Sequence, residues 1–169
     1  MPDAVQLYLV RHAIAHERGE AWPDDRLRPL TEAGAARMAK QARGLAGIGV
    51  AFDVILTSPL VRARQTADIL AEAFRAAPRL VETPALAPGR SPKDAASALR
   101  EFTRRTSLAL VGHEPGLGEL AAWLIGLRSP LEFKKGSVAL IEVALLPPPA
   151  ASGELRWLLT PRILRKLGG

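Results

Sequence analysis

Cysteine is absent from the 169 residues, which excludes a disulfide framework, a thiolate nucleophile and any Cys-based metal site. No apolar run approaches the roughly 18–20 residues that span a bilayer. The start, Met1-Pro2-Asp3, has no basic region of the kind that opens a secretory leader. The expectation is a cytoplasmic protein that does not enter a membrane. Lysine is scarce: five of the 23 basic residues are Lys, at 40, 93, 134, 135 and 166. Histidine is scarcer, with three, at 12, 16 and 113. There is no His-Glu-x-x-His, and His12-x-x-x-His16 falls in a loop without an acidic partner set, so no metal or other cofactor is expected. Internal repeats, low-complexity tracts and linkers long enough to divide domains are also missing. The formal charge of +6 suits anionic partners, but the basic residues are dispersed along the chain. Arg104-Arg105 and Lys134-Lys135 are short pairs, not the clusters of a nucleic-acid reader, so nucleic-acid binding is not expected.

What is present is a chain of one-domain size, 48% hydrophobic and 24% charged, read as a single domain over residues 1–169. Gln6–Val10, Phe52–Thr57, Arg79–Glu82, Ser107–Val111, Ser137–Leu145 and Glu154–Leu159 read as strands. Helices are expected from the Thr31 cap to about Ala46, weakened by Gly34, and from Ser58-Pro59 to about Arg75. A third starts at Ser91-Pro92, with Asp94 suited to a capping box, and ends near Arg104. A fourth follows Pro115 to about Leu127, and a short one follows Pro161. Strand and helix in alternation predict an α/β fold, a mostly parallel central sheet with helices on both faces.

His12 and His113 each follow an expected strand by two residues, and ligand sites in open α/β sheets lie beyond the carboxyl ends of strands. Arg11 precedes His12, and Arg62 sits about one turn into a helix that begins at a third strand end. Guanidinium groups hold phosphate bidentately, and a helix N-terminus favours an anion. These residues make a plausible oxyanion cradle. Arg64, two positions on from Arg62, faces the other way and reads as surface. A neutral imidazole can attack phosphorus and leave again, which divides one hard displacement into two easier ones. Guanidinium groups stabilise charge on the transferring group, so this chemistry needs no metal. Glu114 has two readings, a proton donor beside His113 or an acid complementing a helix N-terminus. Lys134 and Lys135 either line the pocket mouth, where they would attract an acidic partner, or form a solvated turn. Trp22, Trp123 and Trp157 read as packing residues, Trp22 alternatively as part of a lid.

Leu9-Val-Arg-His-Ala13 resembles the Arg-His-Gly signature of the histidine phosphatase superfamily, the group that includes the cofactor-dependent phosphoglycerate mutases. Ala in the third place, followed by Arg28-Pro-Leu-Thr31, Thr57-Ser-Pro-Leu-Val-Arg-Ala-Arg-Gln-Thr-Ala67, Leu110-Val-Gly-His-Glu-Pro115 and Phe133-Lys-Lys-Gly-Ser137, resembles the SixA-type phosphohistidine phosphatases along nearly the whole chain. The resemblance implies a phosphoglycerate mutase-like fold and a bacterial source. It makes His12 the nucleophile, Arg11 and Arg62 phosphate-binding residues, and His113 a second histidine that contacts the phosphoryl group. Arg28 becomes a candidate for the pocket rim, with a loop Arg holding Asp24 or Asp25 as the other reading. His16 stands where related sequences often have an acid and inherits no role. Mutases and many small-molecule phosphatases carry an acidic proton donor in an insertion after the third strand, and Pro84–Ser91 holds no acid. An alcohol leaving group needs that proton; a phosphohistidine needs it less. The implied substrate is therefore phosphohistidine on a protein, for instance a phosphorelay domain. The alternatives are a small-molecule phosphomonoesterase of the same superfamily and a non-catalytic phosphoprotein-binding module.

Overall fold

A computed structural model of the chain describes residues 3–169; Met1 and Pro2, where the leader reading begins, lie outside the described residues. Six strands form one sheet: β1 (Val5–Arg11), β2 (Val54–Thr57), β3 (Arg79–Glu82), β4 (Ser107–Gly112), β5 (Val138–Val143) and β6 (Glu154–Leu159). Their order is β3-β2-β4-β1-β5-β6, with the first four parallel and β5 antiparallel to both β1 and β6. The helices are α1 (Glu32–Gly47), α2 (Val61–Glu72), α3 (Pro92–Ala98), α4 (Gly116–Ile125) and α5 (Pro161–Leu167). Among the described residues, no helix is long and apolar enough to cross a membrane.

The near-continuous apolar runs of β1 and β4 have a simple cause: both faces of the sheet are covered. Leu7, Leu9, Leu108 and Leu110 pack on one side with Leu99, Leu117 and Leu120 from the α3–α4 half. Tyr8, Val10, Ala109 and Val111 pack on the other with Met38, Leu45, Leu70 and Leu164 from α1, α2 and α5. The chain therefore leaves β1 toward one face and leaves the adjacent β4 toward the other. That divergence opens a crevice beyond their carboxyl ends, where α/β sheets place ligands. The β1–β4 register pairs Arg11 with Gly112, so His12 and His113 leave the sheet side by side.

Two helices differ from the sequence reading. Helix α2 begins at Val61, capped by Leu60 without a side-chain bond, instead of at Ser58-Pro59. Its last residue is Glu72 and not Arg75, and Phe74 beyond it stacks edge-on against Phe52 at 4.7 Å between ring centroids. Helix α3 has the expected Ser91–Asp94 capping box but ends at Ala98 and tightens into a 3-10 turn through Phe102. The tighter turn brings residues three apart onto one line, which buries both Leu99 and Phe102.

Candidate active site

β1 hands the chain directly to His12, whose backbone N–H donates to the Gly112 carbonyl at 3.0 Å. The imidazole is only 5% exposed, and its Nδ1 lies 2.7 Å from the Ala13 carbonyl. A carbonyl oxygen only accepts, so Nδ1 carries the hydrogen and Nε2 holds the free lone pair. Burial pushes the His12 pKa down to about 4, against the Ala13 hydrogen bond and with the Arg62, Arg11 and Lys135 charges adding to the depression. At neutral pH this is an uncharged base with one defined nucleophilic nitrogen. The Ala13 backbone is itself held: its N–H donates to Thr66 Oγ1 at 3.0 Å, and that hydroxyl donates to the Arg62 carbonyl at 2.7 Å. Helix α2 thereby clamps the loop that orients His12.

The His113 ring lies 5.1 Å from the His12 ring, centroid to centroid, and is equally buried. Its Nε2 pairs with Ser58 Oγ at 2.8 Å, and Ser58 Oγ also accepts the Leu60 N–H at 3.3 Å. The Ser58 hydroxyl, expected to cap α2, holds the Leu60 N–H in the turn before the helix and serves the site as well. Burial, then the neighbouring His12 and Arg62, pushes the His113 pKa down to about 3.

Arg62 is 2% exposed and gives two bonds to Asp25, one to the backbone carbonyl at 2.7 Å and one to Oδ2 at 2.9 Å. Asp25 also holds Arg28 at 2.9 Å and Arg18 at 3.4 Å. Burial would raise the Asp25 carboxyl; the Arg28 bond and the Arg62 charge outweigh it and hold the carboxyl below its ordinary range. Arg28 meets both of its readings, since it ties Asp25 and the His16 carbonyl and also faces the cavity; Asp24 pairs with Arg26 instead. Arg11 donates to the Phe133 carbonyl at 2.6 Å. Apart from Ser137 Oγ, three buried side-chain polar atoms among the described residues have no protein partner: Arg11 Nε, Arg62 Nε and His113 Nδ1. Such atoms are costly to leave unpaired, and all three belong to side chains that line one cavity.

That cavity is about 310 Å³ and is bounded by His12, His113 and five cations, Arg11, Arg18, Arg28, Arg62 and Lys135. Against them stand Glu17 and Glu114. The four residues expected to carry the chemistry are thus brought together, and the arrangement can receive a tetrahedral dianion in front of a neutral imidazole. Lys135 lines the cavity and Lys134 does not. His16 reaches the rim, 5.9 Å from the Trp22 ring. Glu114 Oε1 accepts the Gly118 N–H at 2.8 Å in the first turn of α4, the helix-start role, while its carboxyl also faces the cavity and is raised by burial. Arg64 is at the surface, paired with Asp68 and Glu82. The sequence reading missed Ser58, Thr66, Asp25, Arg18 and Glu17 as parts of the site. Ser58 and Thr66 lie inside one of the quoted motif blocks, which was the available signal; a loop Asp or Arg offers none. Among the described residues, no group of three or more His, Asp or Glu side chains is placed to hold a metal ion.

The comparisons agree with this geometry. A curated relative, an uncharacterised protein of Picosynechococcus, is 41% identical over 123 residues, covering 69% of this chain and 71% of its own. The phosphohistidine phosphatase SixA of Escherichia coli is 25% identical over 159 residues, covering 93% and 94%. A solved structure of the protein histidine phosphatase SixA complexed with tungstate superimposes with a TM-score of 0.82 at 24% identity, covering 94% of this chain and 98% of that one. The fold is phosphoglycerate mutase-like, as expected. The model of the histidine phosphatase superfamily (branch 1) matches residues 7–122, a span that holds both histidine loops and the start of α2, and the chain belongs to that superfamily.

Proposed function

We propose that this phosphatase hydrolyses phosphohistidine on a protein through a covalent phosphohistidine formed on its own His12. The observation that carries the reading is the fixed tautomer: Nδ1–H donated to Ala13, Nε2 free, in a buried ring held neutral. In the first step the Nε2 lone pair forms a bond to phosphorus, and the substrate P–N bond breaks with its electron pair returning to the leaving imidazole. A phosphoimidazole protonated on its distal nitrogen departs as neutral imidazole, so this leaving group needs no positioned acid. Arg11, Arg62 and His113 surround the equatorial oxygens, where charge is greatest in transfer. In the second step water attacks phosphorus, a P–O bond forms, the P–N bond to His12 breaks, and the protons of the water stay on the released phosphate or pass from it to solvent. The Ala13 carbonyl keeps the proton on Nδ1 throughout, so His12 also leaves as neutral imidazole. Lys135 and Arg28 take the outer positions of the phosphate site.

One observation favours a small-molecule ester as the second reading: Glu114 faces the cavity with a carboxyl raised by burial, and a protonated carboxyl there could assist an alkoxide leaving group. Phosphate release decides between them, measured on a histidine-phosphorylated protein and on a panel of phosphate esters, for the wild type and His12→Ala. Turnover of phosphohistidine that falls by about 10³-fold or more in the variant supports the proposal. Faster turnover of one ester moves the substrate to small molecules; turnover that survives His12→Ala removes the covalent mechanism.

A further inference from the structure

Beside the catalytic cavity a second groove, about 440 Å³, runs between α1, the turn before β5 and α5. Arg11 and Lys135 line both spaces, so the two adjoin. Arg37, Lys134 and Arg165 complete its charged wall, no carboxylate lines it, and Ala13, Ile14 and Pro161 give it an apolar floor. Among the described residues, Arg37, Lys134, Lys135 and Arg165 form no ion pair. Arg165 reaches only Gln41 Oε1, at 3.4 Å, and the buried Gln41 donates through Nε2 to the Gly136 carbonyl at 2.9 Å, which anchors the turn that carries both lysines. Basic charge is concentrated on the elements that form the groove, and Arg37, Lys134, Lys135 and Arg165 line it. Helices α1 and α5 with Lys134 and Lys135 hold eight of the 23 basic residues and, in Glu32, one of the 17 acidic ones. That surplus of seven exceeds the +6 of the entire chain, so the remainder of the molecule is close to neutral.

The geometry points to this groove as the dock for an acidic polypeptide segment that flanks the phosphorylated residue of a protein substrate, an assignment that rests on the phosphatase reading above. Cations spaced along an apolar floor match Asp and Glu interleaved with aliphatic side chains. A compact phosphate would instead call for convergent buried donors, which the catalytic cavity has and this groove lacks. No aromatic side chain lines it, so it offers no platform on which nucleic-acid bases could stack.

The test uses the exposed pair Arg37→Glu with Lys134→Glu, which leaves the catalytic cavity untouched. Two probes are needed: a fluorescent peptide of alternating Glu and Ala, and phosphohistidine peptides with acidic or with Gly-Ser flanks. The wild type is expected to bind the acidic peptide with an affinity that falls as salt rises, and the variant about tenfold more weakly. For the acid-flanked phosphohistidine peptide KM should rise by a similar factor with kcat unchanged, while the Gly-Ser-flanked peptide is turned over as before. Equal peptide affinity in the variant overturns the assignment, as does tighter binding of a single-stranded oligonucleotide than of the peptide. If the variant loses peptide binding while the wild type hydrolyses neither phosphohistidine peptide, the groove stands and the phosphatase reading falls.

Discussion

Ser58 shows how one hydroxyl can serve a helix entry and a site together. Its position before Pro59 suits an N-cap, yet its oxygen joins the Leu60 N–H to His113 Nε2. Ser58→Ala leaves both groups buried without a partner, and each such loss costs about 1–3 kcal/mol. The expected outcome is a urea midpoint lowered accordingly, with kcat reduced because His113 is no longer held against the phosphoryl position. A variant with wild-type stability and wild-type kcat would assign the hydroxyl no role. His12 and Arg62 were readable as site residues from their motif blocks. Asp25, which binds Arg62 through both backbone and side chain, was not, because its contact spans 37 positions of sequence and leaves no local pattern.

At the scale of elements, α1 carries a helix-weakening glycine for a reason found only in its packing. A Cβ on Gly34 would run into the carbonyl of Ile14 and crowd Thr31 Oγ1, because the helix start lies directly on the loop that follows His12. Gly34→Ala gains up to ~1 kcal/mol of helix propensity, but the backbone collision costs about 1–3 kcal/mol, so net destabilisation is expected. Gly47→Ala in the same helix has open space, its nearest neighbour being the Leu167 carbonyl at 4.0 Å, and should be neutral or slightly stabilising. Urea unfolding of the two variants checks this; equal midpoints would show that the loop yields freely. Displacing Ile14 also moves Ala13, the acceptor for His12 Nδ1, so Gly34→Ala should lower kcat while Gly47→Ala leaves it alone.

For the whole molecule, two buried neutral histidines link stability to pH. Their folded values, about 4 for His12 and about 3 for His113, lie below the ordinary value of 6.5. Between these limits the unfolded chain binds protons that the folded chain refuses, so stability is intact above about pH 6.5 and is lost as pH falls toward 4. Each histidine contributes at most ~1.4 kcal/mol per pH unit in that window. The urea midpoint should therefore drop between pH 7 and pH 5, and a His12→Gln, His113→Gln double variant should lose most of that slope. A midpoint constant from pH 7 to pH 5 in the wild type would mean that the two rings are not held neutral by burial.

The sequence by itself determined the local elements and the chemical groups. Apolar runs marked the central strands β1 and β4, Thr31 and the Ser91–Asp94 box marked two helix starts, and Arg11, His12, Arg62 and His113 stood out at or just beyond strand ends. These signals depend on a residue and its near neighbours, so they are legible along the chain. Tertiary structure alone decided that β4 lies between β1 and β2, in the register that sets His12 beside His113, because strand pairing joins segments about a hundred residues apart. It also turned β5 antiparallel against β1, which brings the Lys134-Lys135 turn to the carboxyl end of the sheet. Arg37, Lys134, Lys135 and Arg165, dispersed in order, share one groove only when α1, α5 and the turn before β5 come together. Side chains far apart in sequence share a field once the fold makes them neighbours, and no local pattern records that.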